Sequence, residues 1–391
     1  MKHLFLIVRS LLGLLIFALV LELCARVDGV LSYRAPFWGA YNNQVLFIRD
    51  QTGKWGKPGA RYDKWQLNSL GYRGPELRPG TVRIACFGAS ETFGLYEPEG
   101  QEYPRQLERD LNTRVSGDMF QVVNVAYAGE TVATANLRIP KIIDQIHPSF
   151  AIIYPAVAEY IWLPWLKEEP VSSAADAAHF GRVHLSFQPR LTERLRSLLK
   201  QILPPVVQTK LREIETEKEI TENHYNVMDR IPEENVLRFQ TDLLKFVVAL
   251  RAQGVEPVLV THATAFGNQL SESDRALLVS WRVFYPMLRE DGFLDMEQRM
   301  NDAIRQTANH EHVSLIDAAD EIPPCREYFA DFVHFTSAGA AVMASRLADG
   351  LQALIDTNMR QRSFGGPQQP DSLKVLQNVS LTHRSSRCSE S

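Results

Sequence analysis

Apolar positions along this chain fall into two rhythms, and the switching between them lays out its elements. Short runs rich in β-branched and aromatic residues, at 82–88, 120–125, 150–154, 257–261 and 313–316, predict five buried strands. Between them apolar residues recur every three or four positions, as at Leu107 and Leu111, and predict helices over 103–112, 140–146, 236–252, 296–308 and 338–355. Pro140 then falls in a tolerated first turn, and Gly254 closes the helix over 236–252. Strands alternating with helices predict a mainly parallel sheet covered on both faces. The expected fold is a three-layer α/β/α domain of flavodoxin-like type with about five parallel strands.

Two stretches break the rhythm. Residues 161–234 are too long for a simple connection and are expected to form an inserted subdomain or lid. Within them Leu191, Leu195, Leu198, Leu199 and Ile202 interleave with Arg194, Arg196 and Lys200 in a basic amphipathic helix. Packing on its own domain is the preferred role for that helix, ahead of lying on a membrane surface. Residues 266–293 carry Trp281, Phe284 and Tyr285 and are expected to form a wall of a substrate cleft.

The ends of the chain read differently. Residues 4–25 are almost wholly apolar, with Lys2, His3 and Arg9 toward the amino end. That is long enough to cross a bilayer, and the basic flank predicts a cytoplasmic amino terminus. No small-x-small site closes the run, and Leu21-Glu22-Leu23-Cys24 is a poor lipobox, so an uncleaved signal anchor is preferred to a cleaved signal peptide. The expected setting is single-pass in a bacterial inner membrane, with the main domain periplasmic. The organisation is therefore a transmembrane anchor over 1–29, a small cap over 30–80 rich in Tyr, Trp, Gly and Pro, a main domain over 81–358, and a disordered tail over 359–391.

Composition narrows the partners. With 391 residues, 45% hydrophobic and 23% charged, the chain can bury a full core. A net charge of −4 gives no footprint for nucleic acid. Cys24, Cys86, Cys325 and Cys388 show neither metal spacing nor a disulfide framework, and no C-x-x-C or H-E-x-x-H signature occurs. No metal or other cofactor is expected. Oligomeric state is left open.

The chemistry gathers at two places. In Val82-Arg-Ile-Ala-Cys-Phe-Gly88-Ala89-Ser90-Glu91-Thr92-Phe93-Gly94 a strand stops at a glycine and Ser90 follows two residues later. A serine there stands at the carboxyl end of a parallel strand, where ligands bind in open α/β sheets. Alone it is no more than a turn or cap residue. Asp331-Phe-Val-His334, near the other end of the domain, changes that reading. A carboxylate so placed fixes the imidazole's tautomer while the other ring nitrogen faces the serine. His262, after the fourth strand, is the rival base, but no carboxylate is close to it in sequence, so it is read as cleft-lining or structural. A phosphate site at the 88–94 turn is disfavoured, because no lysine follows and the G-x-x-x-x-G-K-[ST] pattern is missing.

On these residues the chain resembles the SGNH (GDSL-like) hydrolases of membrane-anchored bacterial type. Residues 88–94 match the family's Gly-Asp-Ser-x-x block with Ala89 at the Asp position, and 331–334 match its Asp-x-x-His block fully. The Asn-Ser-x-Gly-aromatic-Arg segment at 68–73 also resembles one that precedes the first strand in such relatives. The likeness covers roughly 80–355.

The resemblance implies Ser90 as nucleophile, His334 as base and Asp331 as its orienting carboxylate. It also implies an oxyanion hole built from the Ser90 N–H, the Gly129 N–H and an asparagine amide. Here the chain departs from the family: the third block reads Ala156-Val157-Ala158-Glu159, and Ala158 cannot donate. Losing one such donor costs about 10²–10³ in rate. Either the enzyme is slow, or another donor such as Asn124 or a residue of the insert substitutes, or the fold has become a binder. Glu159 is expected to hold a neighbouring loop; with His262 it is kept as a weak candidate for substrate contact. The expected activity is ester hydrolysis through a serine acyl-enzyme on an envelope-associated glycan or another ester. Acyl transfer to a polysaccharide hydroxyl is the alternative, and a catalytically silent glycan-binding protein the rival.

Overall fold

The computed structural model describes residues 2–39, 42–50, 53–115, 117–165, 189–267 and 269–363. Helix α1 (Lys2–Tyr33) opens the chain, and within it Phe5–Tyr33 is long and apolar enough to cross a membrane. Two short antiparallel ribbons follow, β1 (Phe47–Asp50) with β2 (Gly53–Gly56) and β3 (Arg61–Tyr62) with β4 (Trp65–Gln66). Strand β5 (Val82–Gly88) runs into the single turn α2 (Ser90–Phe93), then α3 (Tyr103–Arg114), β6 (Phe120–Asn124), α4 (Val132–Ile146) and β7 (Phe150–Tyr154). A 3-10 segment, Ala158–Trp165, comes next, followed by α5 (Arg190–Ile202), α6 (Pro205–Asn223), α7 (Glu233–Ala252) and β8 (Glu256–Val260). The chain ends with α8 (Glu272–Arg282), α9 (Glu290–Glu311), β9 (Ser314–Ile316), α10 (Ala318–Glu321) and α11 (Ser337–Ser363).

The chain divides into two compact units, Met1–Gly71 with Glu169–Ile214, and Tyr72–Glu168 with Glu215–Ser391. In the first, α5 is docked onto α1. The Glu22 carboxylate accepts from the N–H groups of Arg190 (3.1 Å) and Leu191 (2.8 Å), satisfying donors that a helix start leaves free. Arg194 pairs with Asp28. Leu195, Leu198, Leu199 and Ile202 stay exposed, so the apolar face expected to pack within its own domain is open among the described residues. Residues 166–188 of the expected lid, and the expected tail from 364 onward, lie outside the described residues.

The second unit is a five-stranded parallel sheet of order β6-β5-β7-β8-β9, with helices on both faces. It is a three-layer α/β/α fold of flavodoxin-like type. The alternation of strand side chains assigns the faces. Ile84 and Cys86 join a core with Tyr103, Leu107 and Leu111 of α3 and Met343, Leu347 and Leu351 of α11. Phe87 points the other way, edge-on to Phe246 of α7 with ring centroids 5.1 Å apart. Both faces being buried, the strands read as continuous apolar runs without polar alternation.

Helix boundaries depart more from the sequence reading than strands do. Helix α4 begins at Val132, well before Pro140, because Thr131 and Thr134 form a reciprocal capping box. Pro140 therefore sits inside the helix, at a cost of about 3 kcal/mol. Burial of Ile139, Ile142 and Ile146 on one face offsets it, at about 1.5–3 kcal/mol each. Helix α11 runs to Ser363, past the expected tail boundary at 358, through helix-forming Met359, Arg360, Gln361 and Arg362. Cys325 is disulfide-bonded, which corrects the expectation that the cysteines form no disulfide framework, while Cys86 is free and buried, as its place in the strand run predicts.

The chain leaves β5 on one side to form β6 and returns on the other to form β7, so the carboxyl ends of β5 and β7 are the switch point at which open α/β sheets bind ligands. Gly88 stands there, opposite Tyr154 in register. A β-carbon on Gly88 would overlap the Thr92 side chain and lie 2.6 Å from the Tyr154 carbonyl oxygen. Gly88→Ala is expected to cost about 1–3 kcal/mol of stability by overpacking. Denaturant unfolding checks this, and an unchanged midpoint would mean that the strand end tolerates the shift.

Candidate active site

Ser90 opens the single-turn helix α2, and its carbonyl accepts from the N–H groups of Gly94 and Leu95. Gly94 holds a left-handed conformation (φ +82°) that a residue with a side chain adopts at a cost. Arg73 fastens this turn from within. Its guanidinium donates to the carbonyls of Phe93 and Gly94, and to that of Glu97 at 3.3 Å. It pairs with buried Glu102 at 3.2 Å. The neighbouring Tyr72 hydroxyl donates to Gln145 at 2.5 Å. The 68–73 segment thus ends in Arg73, which braces the turn carrying Ser90, and Tyr72, which holds α4.

His334 lies on the loop before α11. Its Nδ1 meets Asp331 Oδ2 at 2.8 Å, and Asp331 Oδ1 also accepts from the N–H groups of Val333 (3.0 Å) and His334 (2.9 Å). The carboxylate therefore fixes both ring and loop. His334 Nε2 is buried with no hydrogen-bond partner. The ring packs edge-on against Tyr96, six residues after Ser90, with centroids 5.3 Å apart. Burial would lower the basicity of His334, but the Asp331 hydrogen bond and the charges of Glu91, Asp331 and Glu97 raise its pKa above the usual value. Asp331 is held below the ordinary carboxylate range by the same partner and by backbone N–H groups, against the effect of its burial.

Ser90 Oγ donates not to His334 but to Glu91 Oε2, at 3.3 Å. Glu91 belongs to a buried network that the sequence reading missed. Its Oε1 stands 3.6 Å from His262 Nε2, and His262 Nδ1 meets Glu297 Oε2 at 2.9 Å. So His262 does have carboxylate partners, but they come from α2 and α9, far from it in sequence. Asn301 grips the His262 backbone, its amide oxygen accepting the N–H at 2.7 Å and its amide nitrogen donating to the carbonyl at 2.9 Å. Glu297 and Asn301, four residues apart on α9, share the buried face with Met296 and Met300. Polar residues on an apolar helix stripe were the signal available in the sequence.

Charge follows from this geometry. Burial alone would make His262 neutral, but Glu297 and Glu91 push its pKa up to about 10. The sign for stability follows by linkage. A group protonated more tightly when folded contributes fully below its unfolded pKa of about 6.5 and loses that contribution as pH rises toward about 10. The thermal midpoint is therefore expected to fall across that window in the wild type and to fall less steeply in His262→Gln. Identical slopes would contradict a charged His262.

Glu159 is buried and accepts from the Tyr285 hydroxyl at 3.3 Å, and burial together with the Glu91 charge raises its pKa to about 8. It braces the chain after β7. Tyr285 and Trp281 are buried, and Trp281 stacks on Phe266, Phe293 and Phe332. Of the expected cleft-wall aromatics, only Phe284 is exposed.

For an oxyanion the arrangement supplies backbone donors. The N–H groups of Ser90 and Gly129 have no acceptor among the described residues, and Gly129 occupies a left-handed turn after β6 (φ +78°). Asn124 is not the substitute donor. Its amide nitrogen is committed to the Thr92 carbonyl at 2.7 Å, and its oxygen accepts from Ala126 at 3.3 Å. Ala158 starts the 3-10 segment after β7, and its methyl side chain has no hydrogen to donate. Among the described residues no group of His, Cys, Asp and Glu is arranged to hold a metal ion.

No protein-family model and no curated protein matches the chain. Among solved structures it is similar to the acetyl xylan esterase AlAXEase, at 13% identity and TM-score 0.41 over 69% of this chain and 100% of that one. It is similar to the lipase/acylhydrolase from Enterococcus faecalis, at 14% identity and TM-score 0.41 over 70% and 97%. A catalytic mutant of Axe2, an acetylxylan esterase from Geobacillus stearothermophilus, aligns at 13% identity and TM-score 0.40 over 71% and 97%.

Proposed function

We propose that this protein is a serine ester hydrolase, tethered to a membrane through α1, that works through an acyl-enzyme on Ser90. The observation that carries the reading is the state of His334. Its Nδ1 is held by Asp331, and its Nε2 is buried and unpartnered beside the segment that begins at Ser90. A base so oriented has one free lone pair, and the charge of Glu91, the residue after Ser90, bears on its ring.

In the first half-reaction the Ser90 oxygen bonds to the ester carbonyl carbon as its proton passes to His334 Nε2. The carbonyl oxygen takes up negative charge against the N–H groups of Ser90 and Gly129. The carbon–oxygen bond to the leaving alcohol then breaks, and His334 returns the proton to that alcohol. In the second half-reaction water gives a proton to His334 and attacks the acyl carbon, the bond from that carbon to the Ser90 oxygen breaks, and His334 returns the proton to Ser90 as the acid leaves. Asp331 stays ionised throughout and stabilises the imidazolium.

The basic residues ahead of the α1 apolar run favour a domain outside the cytoplasm, and an acylated glycan there is the proposed substrate. A sugar hydroxyl replacing water in the second half-reaction would make the protein an acyltransferase. The missing donor at Ala158 favours one other reading, a silent glycan binder that keeps the fold. Pre-steady-state release of 4-nitrophenol from its acetate by the full chain in detergent separates these. A burst equal to the enzyme concentration, with a steady phase accelerated by a sugar acceptor, identifies transfer. A burst indifferent to acceptor identifies hydrolysis, and no release at all leaves only the binder.

A further inference from the structure

Behind Ser90 runs a row of ionisable side chains that the Ser90–His334–Asp331 chemistry does not itself require. Ser90 Oγ donates to Glu91 at 3.3 Å, Glu91 faces His262 at 3.6 Å, and His262 meets Glu297 at 2.9 Å. Glu91, His262 and Glu297 are 5%, 2% and 6% exposed, so water screens none of these charges. Three separate parts of the fold hold the row: α2, the loop after β8, and α9. His262 is fixed further by Asn301 on its backbone and by the Tyr154 ring, stacked at 5.3 Å.

We propose that Glu91 is a positioning residue of the catalytic site, with the buried His262–Glu297 pair as its counter-ion. This rests on the hydrolase reading above. Glu91 orients the Ser90 hydroxyl in the resting protein, and its carboxylate acts beside Asp331 on His334. When substrate binds, the hydroxyl turns from Glu91 to the unpartnered Nε2 of His334. The imidazolium that forms on proton transfer then lies within the field of two carboxylates. An ionised Glu91 needs a cation, because a lone buried carboxylate takes up a proton instead. His262 supplies it, and Glu297 keeps His262 charged.

The groups that bear on His262 are Glu91, Glu297 and, through Glu91, Glu159 with Tyr285. Those that bear on His334 are Asp331, Glu91, Glu97 and the Tyr96 ring. Glu97 is itself pushed up to about 7 by burial, so below neutrality, where Glu97 takes up a proton, Asp331 and Glu91 are the anions that persist beside His334.

The test is the titration of histidine ring nitrogens by nuclear magnetic resonance in the full chain, wild type against Glu91→Gln. His334 is expected to titrate about one pH unit lower in the variant, the shift that removal of one near charge gives. The acid limb of kcat/KM on an aryl acetate should move by the same amount. A merely structural role for Glu91 would leave the His334 titration where it was, and that outcome overturns the proposal. The wild type provides a second check that needs no folded variant: His262 must keep both ring protons at pH 8, and a neutral His262 there overturns it equally. The titration reads the rings and not turnover. Absence of Ser90 labelling in the wild type would sink the hydrolase reading while leaving the ring measurement interpretable.

Discussion

Ser90→Ala is expected to bring aryl-ester hydrolysis down to the uncatalysed background while leaving the fold intact. Removing the nucleophile from a complete serine site costs about 10⁶-fold in kcat. Here the observable drop is smaller, because the wild type starts lower. On the proposed site, where the resemblance implies a third oxyanion donor and the chain has Ala158, it forgoes about 10²–10³. The measured loss should therefore reach background after about 10³–10⁴-fold. The substitution removes one hydrogen bond, to Glu91, from a half-buried side chain, so the unfolding midpoint should barely move. Parallel rate and unfolding measurements check both parts. Residual turnover far above background would mean that another residue attacks.

Asp331→Asn should bring kcat down toward the same background, by about 10³-fold or more, with the loop still in place. The carboxylate does two jobs through different atoms. Asp331 Oδ1 accepts from the backbone N–H groups of Val333 and His334, which the amide oxygen of asparagine can also do. Oδ2 accepts from His334 Nδ1, where the asparagine nitrogen would instead present donors. The ring would then carry its proton on Nε2, the wrong tautomer to accept one from Ser90. His334→Ala should be at least as damaging, since it removes the base altogether. If the Asp331→Asn protein kept most of its activity, His334 would have to be oriented from elsewhere, and Glu91 is the first group to test.

The strands were legible because burial on both faces leaves uninterrupted apolar runs, and all five lie within a residue or so of their expected places. Helix starts were less so. Pro140 drew attention as a start signal, whereas the Thr131–Thr134 capping box, well upstream of it, sets the boundary. The Asp331–His334 pair was legible because its spacing is local. The Glu91–His262–Glu297 row was not, since its members come from three elements joined only by the tertiary fold. Asn124 illustrates the same limit. Its type suits an oxyanion donor, but the fold commits its amide to the Thr92 carbonyl. Ala158 remains a departure that the sequence alone revealed.

The most direct measurement of the central claim is to treat the full chain with a fluorophosphonate and locate the adduct by peptide mass spectrometry. The account predicts a single adduct on Ser90, formed in the wild type and lost in His334→Ala, because only a base-activated serine reacts at a useful rate. An adduct on another residue, or none on wild-type protein that is folded by circular dichroism, would contradict it.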